Sequence, residues 1–159
     1  MRVGNTSRPS KRACKPRSRW ISGLVSAVCL LPLADAWAGG SCVVAKRLGN
    51  SLAIEWVASS TESAESALRQ AKQRLLDQGY RKKGQDVHAQ ASSDLAHAYL
   101  VIVKTVYTTT LGSERTSYGC GFSARSANAA EQAALYDLRN YSWGWKPEFG
   151  YEVVEKVRY

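Results

Sequence analysis

Chemistry in this 159-residue sequence would have to begin with two histidines, His88 and His97, and the acids beside them, Asp86 and Asp94. Asp86 and His88 are two positions apart, which puts both side chains on one face of an extended strand. A zinc ion takes roughly three or four protein ligands, and no Cys or second close His completes that set, so no metal and no cofactor is expected. The closest run to a Gly-x-Ser-x-Gly nucleophile elbow is Gly119-Cys120-Gly121-Phe122-Ser123, which places Cys between the glycines. Glu62 with Glu65 is explained by a helix start, and Glu152 with Glu155 falls on opposite strand faces, so neither reads as the acid pair of a glycosidase. The chain is therefore read as non-catalytic. A hydrolase whose triad meets only in space stays open as an alternative.

The cysteines depend on what happens to the N-terminus. Arg2, Arg8, Lys11, Arg12, Lys15, Arg17 and Arg19 form a basic region, Ile21 to Ala34 an apolar one, and Ala36-Trp37-Ala38 before Gly39 suits a signal peptidase. Residues 1–38 are accordingly expected to be a signal peptide and residues 39–159 a single domain. Pro32 and Asp35 interrupt the apolar run, which also falls short of the roughly 20 residues of a membrane helix, so no membrane span is expected after cleavage. Cleavage would remove 7 of the 22 bases and 1 of the 13 acids, reducing the formal charge from +9 to +3. That surplus gives no footprint for nucleic acid. It would also remove Cys14 and Cys29, leaving Cys42 and Cys120 in an oxidising compartment, where an even count favours a disulfide.

Aromatic side chains concentrate late in the chain, at Tyr141, Trp143, Trp145, Phe149 and Tyr151, interrupted by Gly144, Pro147 and Gly150. Such a segment either offers stacking and anchoring surface to a ligand or closes the open end of a small sheet. Arg81-Lys82-Lys83 reads as a solvated turn rather than a phosphate or lipid site.

The elements that must position these residues follow from periodicity. Val43 to Leu48 and Ser51 to Ala58 read as strands joined at Gly49-Asn50, with Leu52, Ile54, Trp56 and Ala58 on one face. Ala64, Ala67, Leu68, Ala71 and Leu75 form a helical stripe ending near Gly79, and Gln85 to Ala91 reads as another strand. Ala98 to Thr110 is apolar on both faces, as in a strand buried within a sheet. Arg115 to Ser123 returns with Tyr118, Cys120 and Phe122 on one side and Gly119 and Gly121 on the other, where a packed helix could approach closely. A second stripe, Ala127, Ala130, Ala134, Leu138 and Tyr141, precedes a last strand from Tyr151 to Arg158.

Ser60, Ser63, Ala64, Ala67, Ala71 and Leu75 align at constant offset with Ser123, Ser126, Ala127, Ala130, Ala134 and Leu138. The expectation is an α+β domain, an antiparallel-rich sheet with two helices on one face, built as a tandem β-β-α-β duplication over about residues 42–93 and 97–159. Tyr118 to Leu138, with its echo from Trp56 to Leu75, resembles small exported bacterial domains of unknown function, in which an aromatic and Gly-bearing strand leads into a Ser-x-x-Ser-Ala-x-x-Ala helix. The extra cysteines often seen after the second helix in such domains are absent here. The resemblance implies a location and a fold, and no activity. The functional expectation is a periplasmic or secreted binding protein of the cell envelope that acts on another envelope or secreted protein, in the manner of an inhibitor or immunity factor. A carbohydrate or cell-wall binding module using residues 141–151 is the alternative.

Overall fold

The computed structural model describes residues 38–159, and the expected signal peptide lies almost wholly outside them. Within the described residues the order is β1 (Gly39–Arg47), β2 (Asn50–Ser59), α1 (Ala64–Asp77), β3 (Gln85–Ser93), β4 (Tyr99–Thr108), β5 (Glu114–Ser123), α2 (Ala127–Tyr141), a 3-10 turn (Pro147–Phe149) and β6 (Glu152–Arg158). The α+β class and the doubled strand-strand-helix-strand order both hold. The strands divide between two antiparallel three-stranded sheets, ordered β2-β1-β3 and β5-β4-β6, so the first strand of each half is the central one.

Two sheets form instead of one because the central strands are apolar on both faces. On β1, Val43 and Ala45 face Ala67, Ala71 and Leu75 of α1. Its other face presents Cys42 to β4 and β5, where Leu100, Ile102 and Cys120 meet Ile54, Trp56 and Ala58 of β2. On β4, Val101 and Val103 turn the opposite way, toward Ala130, Ala134 and Leu138 of α2. The result is four layers, helix, sheet, sheet, helix. The helices therefore lie on opposite outer faces, not on one. Among the described residues three cores, each with fully buried side chains, hold the elements together.

Local chemistry sets the element ends. The Ser63 hydroxyl accepts from the Ser66 N–H at 3.2 Å and the Ser126 hydroxyl from the Ala129 N–H at 3.1 Å, each satisfying an amide the first turn leaves free. Helix α1 closes with Gly79 at φ 94°, its N–H bonded to the Leu76 carbonyl and that of Tyr80 to the Leu75 carbonyl. These are the paired bonds of a Schellman ending. Small stripes let the helices sit low. A Cβ built on Gly119 would lie 2.7 Å from Leu138 Cβ, and one on Gly121 would run into the Ala130 carbonyl. Those two glycines are thus the floor on which α2 rests.

Three details depart from the sequence expectation. The first hairpin turns at Leu48-Gly49, with φ of 49° and 78°, rather than at Gly49-Asn50. The register shift beside Ala45 and Lys46 sends Leu52 to the α1 side, while Ile54, Trp56 and Ala58 keep to the inter-sheet side. The link from β2 to α1, residues 60–63, is one residue longer than that from β5 to α2, residues 124–126, so the constant offset aligns the helix caps but slips by one in the strands.

Candidate functional site

Cys42 and Cys120 are joined by a disulfide with Cα atoms 6.5 Å apart, tying the centre of one sheet to the edge of the other. Both are buried within the inter-sheet core. The bond is structural in setting. Around it, Asp137 of α2 reaches the outer edge of β5, where its Oδ2 accepts from the Cys120 N–H at 2.8 Å and from Gln90 Nε2 at 2.9 Å. Gln90 Nε2 also donates to the Tyr118 carbonyl at 3.3 Å. Burial pushes the Asp137 carboxyl above its ordinary pKa, against the pull of the Cys120 and Gln90 hydrogen bonds and the Lys46 charge.

The structure does not bring the five candidate aromatics onto one surface. Trp145 is half-buried against the α2 core, its indole N–H donating to the Gly150 carbonyl at 3.1 Å. The Thr105 hydroxyl donates to that same carbonyl at 2.8 Å, which fastens the segment after α2 onto β4. Tyr151 is exposed and donates its hydroxyl to Glu131 Oε1 at 2.8 Å. Together with Tyr136, Leu135, Gln132, Arg139 and Pro147, these two rings line a groove of about 380 Å³ along α2. Phe149 lies elsewhere, its ring 6.0 Å from that of Tyr107.

Tyr141 and Trp143 belong to a different place, a cleft of about 430 Å³ floored by Tyr107 and walled by Leu48, Arg115 and Gly144. Lys46 Nζ sits 4.9 Å from the centre of the Tyr141 ring, and burial pushes the lysine's pKa down against the raising influence of Asp137 and Asp86. Trp143 is fully exposed. Trp145 therefore does help to close a core, while Trp143 covers nothing.

His88 Nδ1 and Asp86 Oδ2 are 3.1 Å apart on β3, as their spacing predicts. His97 is exposed in the link to β4. Among the described residues, no three His, Cys, Asp or Glu side chains are gathered as a metal site, and no helix is long and apolar enough to cross a membrane. Sequence reasoning missed Tyr136, an aromatic on the outer side of α2 away from the Ala130-Ala134-Leu138 stripe, and that displacement from the stripe was the available signal. It also missed Leu48 and Leu111, whose position beside turn glycines marks them as loop-tip residues. No protein-family model, curated protein or solved structure matches the chain.

Proposed function

We propose that the chain is an exported binding protein of the periplasm or extracellular space, working through protein–protein contact at the α2 groove. The basic-apolar N-terminus with its Ala-x-Ala site and the pairing of the two remaining cysteines support the export reading. The observation that carries the choice of ligand is the state of the groove's polar handles. The Trp145 indole N–H is engaged by Gly150 and the Tyr151 hydroxyl by Glu131, so these two rings present their faces to the groove rather than their polar tips. A sugar needs several hydrogen-bonding groups to fix its hydroxyls, whereas an apolar side chain of a partner needs shape and dry surface. Arg139 on the groove wall supplies one fixed charge, which suits a carboxylate on the partner beside its apolar anchor.

The test is affinity capture from envelope extract with the wild type and a Tyr136→Ala/Tyr151→Ala variant. The expected result is one dominant protein retained by the wild type and lost by the variant, with a Kd weakened by at least about tenfold. Retention of peptidoglycan fragments instead, abolished by the same substitutions, would replace the protein reading with the carbohydrate one.

A further inference from the structure

The end of the molecule bearing the first hairpin turn collects features that the α2 groove does not use. Three large apolar side chains stand almost free in solvent there: Leu48 at 82%, Leu111 at 92% and Trp143 at 102% relative exposure. They come from separate loops. Leu48 tips the β1–β2 hairpin, Leu111 tips the β4–β5 hairpin, and Trp143 follows α2. The two hairpin tips are held at the same end by Arg115, whose Nη1 donates to the Leu48 carbonyl at 2.6 Å, and by Asn50, whose side chain accepts the Thr116 N–H at 2.7 Å. Leu48 and Trp143 share the walls of the Tyr107 cleft, and Thr109, at the base of the loop carrying Leu111, lines it too.

The charge at this end is mainly positive. The β1–β3 pairing ends at Arg47 and Gln85, and hydrogen bonds between Gln85 and Lys82 fold the Arg81-Lys82-Lys83 turn back beside it. Asp77 is paired with Arg81, and Asp86 shares a hydrogen bond with His88. Among the described residues, Arg47, Lys82 and Lys83 form no ion pair, and Glu114 is the acid that stays unpaired at the β4–β5 hairpin. The basic turn, read from sequence as merely solvated, thus borders a set of apolar prongs.

We infer that this end docks onto an anionic lipid bilayer. Isolated prongs on three loops suit a fluid surface, since acyl chains close around each one separately. A protein partner would need three matched pockets for them. Tryptophan favours the interface between headgroups and hydrocarbon, and exposed Lys and Arg around the prongs meet lipid phosphates. A short apolar penetration combined with basic residues gives reversible surface binding, which requires no spanning segment.

Sedimentation of residues 38–159 with vesicles tests this, because the three cores described above and the disulfide lie within them. Vesicles of phosphatidylglycerol and phosphatidylethanolamine should bind it at least about tenfold better than phosphatidylcholine vesicles, and added salt should weaken the binding. Leu111→Ser with Trp143→Ser should lower vesicle affinity by about tenfold or more while circular dichroism and the intact disulfide mass stay unchanged. Lys82→Gln should lower it by about fivefold, on the anionic vesicles only. The inference is overturned by equal binding to neutral and anionic vesicles, by no binding at all, or by binding that the serine substitutions leave intact. Loss of a captured protein on the same substitutions, without vesicle binding, would also overturn it and assign the prongs to a protein partner. None of these results depends on Tyr136 or Tyr151, so failure here leaves the groove reading standing.

Discussion

The Asp137 carboxylate accepts the Cys120 backbone N–H at 2.8 Å, so α2 is fastened to the strand that carries one half of the disulfide. Cys120 lies on an edge strand, and its outward amide would otherwise be an unpaired donor inviting another strand. Gln90, from the opposite sheet, joins the same carboxylate and also serves the Tyr118 carbonyl on that edge. A covalent and a polar link between the two halves thus meet on one short stretch of β5, Tyr118 to Cys120.

The burial of Asp137 makes stability pH-dependent. Burial raises the Asp137 pKa in the folded state, so between the unfolded and folded pKa values the native protein binds more protons than the denatured chain. Stability contributed at this site is present at low pH and is lost as pH rises through the folded pKa. Asp137→Asn keeps an acceptor for Cys120 and removes the titration. The expected outcome is a variant whose unfolding free energy gains on wild type as pH rises from the acid range to neutrality. Parallel denaturation curves of the two proteins across that range would exclude the linkage. Asp137→Ala, by contrast, strands the Cys120 amide and should lose about 1–3 kcal/mol.

The disulfide closes a loop of sequence separation 78. In the chain-entropy account such a crosslink stabilises by about 4 to 5 kcal/mol, an upper figure. Cys42→Ala with Cys120→Ala is expected to lose about 2–4 kcal/mol, the removal of two buried sulfurs from the inter-sheet core included. Guanidinium titration of the variant against oxidised wild type measures it, and an unchanged midpoint would mean that the sheets hold together without the link.

Gly121 has no room for a side chain beneath α2, where a Cβ would meet the Ala130 carbonyl and the Ala134 amide. Both are backbone groups of a helix and cannot rotate aside. Gly121→Ala should therefore lift α2 and destabilise by about 1–3 kcal/mol, even though alanine is ordinarily the better strand residue of the two. A neutral effect on the thermal midpoint would show that the helix floats above β5 rather than resting on it.

Much of this arrangement could be read from residue order alone. Ser63 and Ser126 recur at constant offset just ahead of the two stripes, the small-residue stripes gave the packed faces, and Gly119 and Gly121 pointed to the close helix. Periodicity describes one element against an unspecified neighbour, however, and so could not say that the apolar runs of β1 and β4 face two different helices outward and each other's sheet inward. The one-residue slip between β2–α1 and β5–α2 was hidden for the same reason, because strand faces invert with a single insertion. The aromatic segment left two readings open for a different reason. Trp143 and Trp145 flank one glycine, yet the fixing of Gly150 by Thr105 and Trp145, a contact between distant residues, sends one ring inward and leaves the other in solvent.

The turn at Leu48 sets stability against surface chemistry. Both central residues of this two-residue connection have positive φ, 49° at Leu48 and 78° at Gly49. Asn-Gly is the favoured pair for that geometry, because asparagine tolerates the left-handed region that a leucine Cβ resists. Leu48 is also 82% exposed, so it gains little from burial in return. Leu48→Asn should then stabilise the fold by about 1 kcal/mol, seen as a higher denaturant midpoint with unchanged slope. The Arg115 bond to the residue 48 carbonyl involves backbone and survives the change. If the leucine is held in a strained turn for its apolar tip, the same variant should bind anionic vesicles several-fold more weakly. A variant that is more stable and binds as before would deny Leu48 a part in docking, and one that is no more stable would remove the strain from the account.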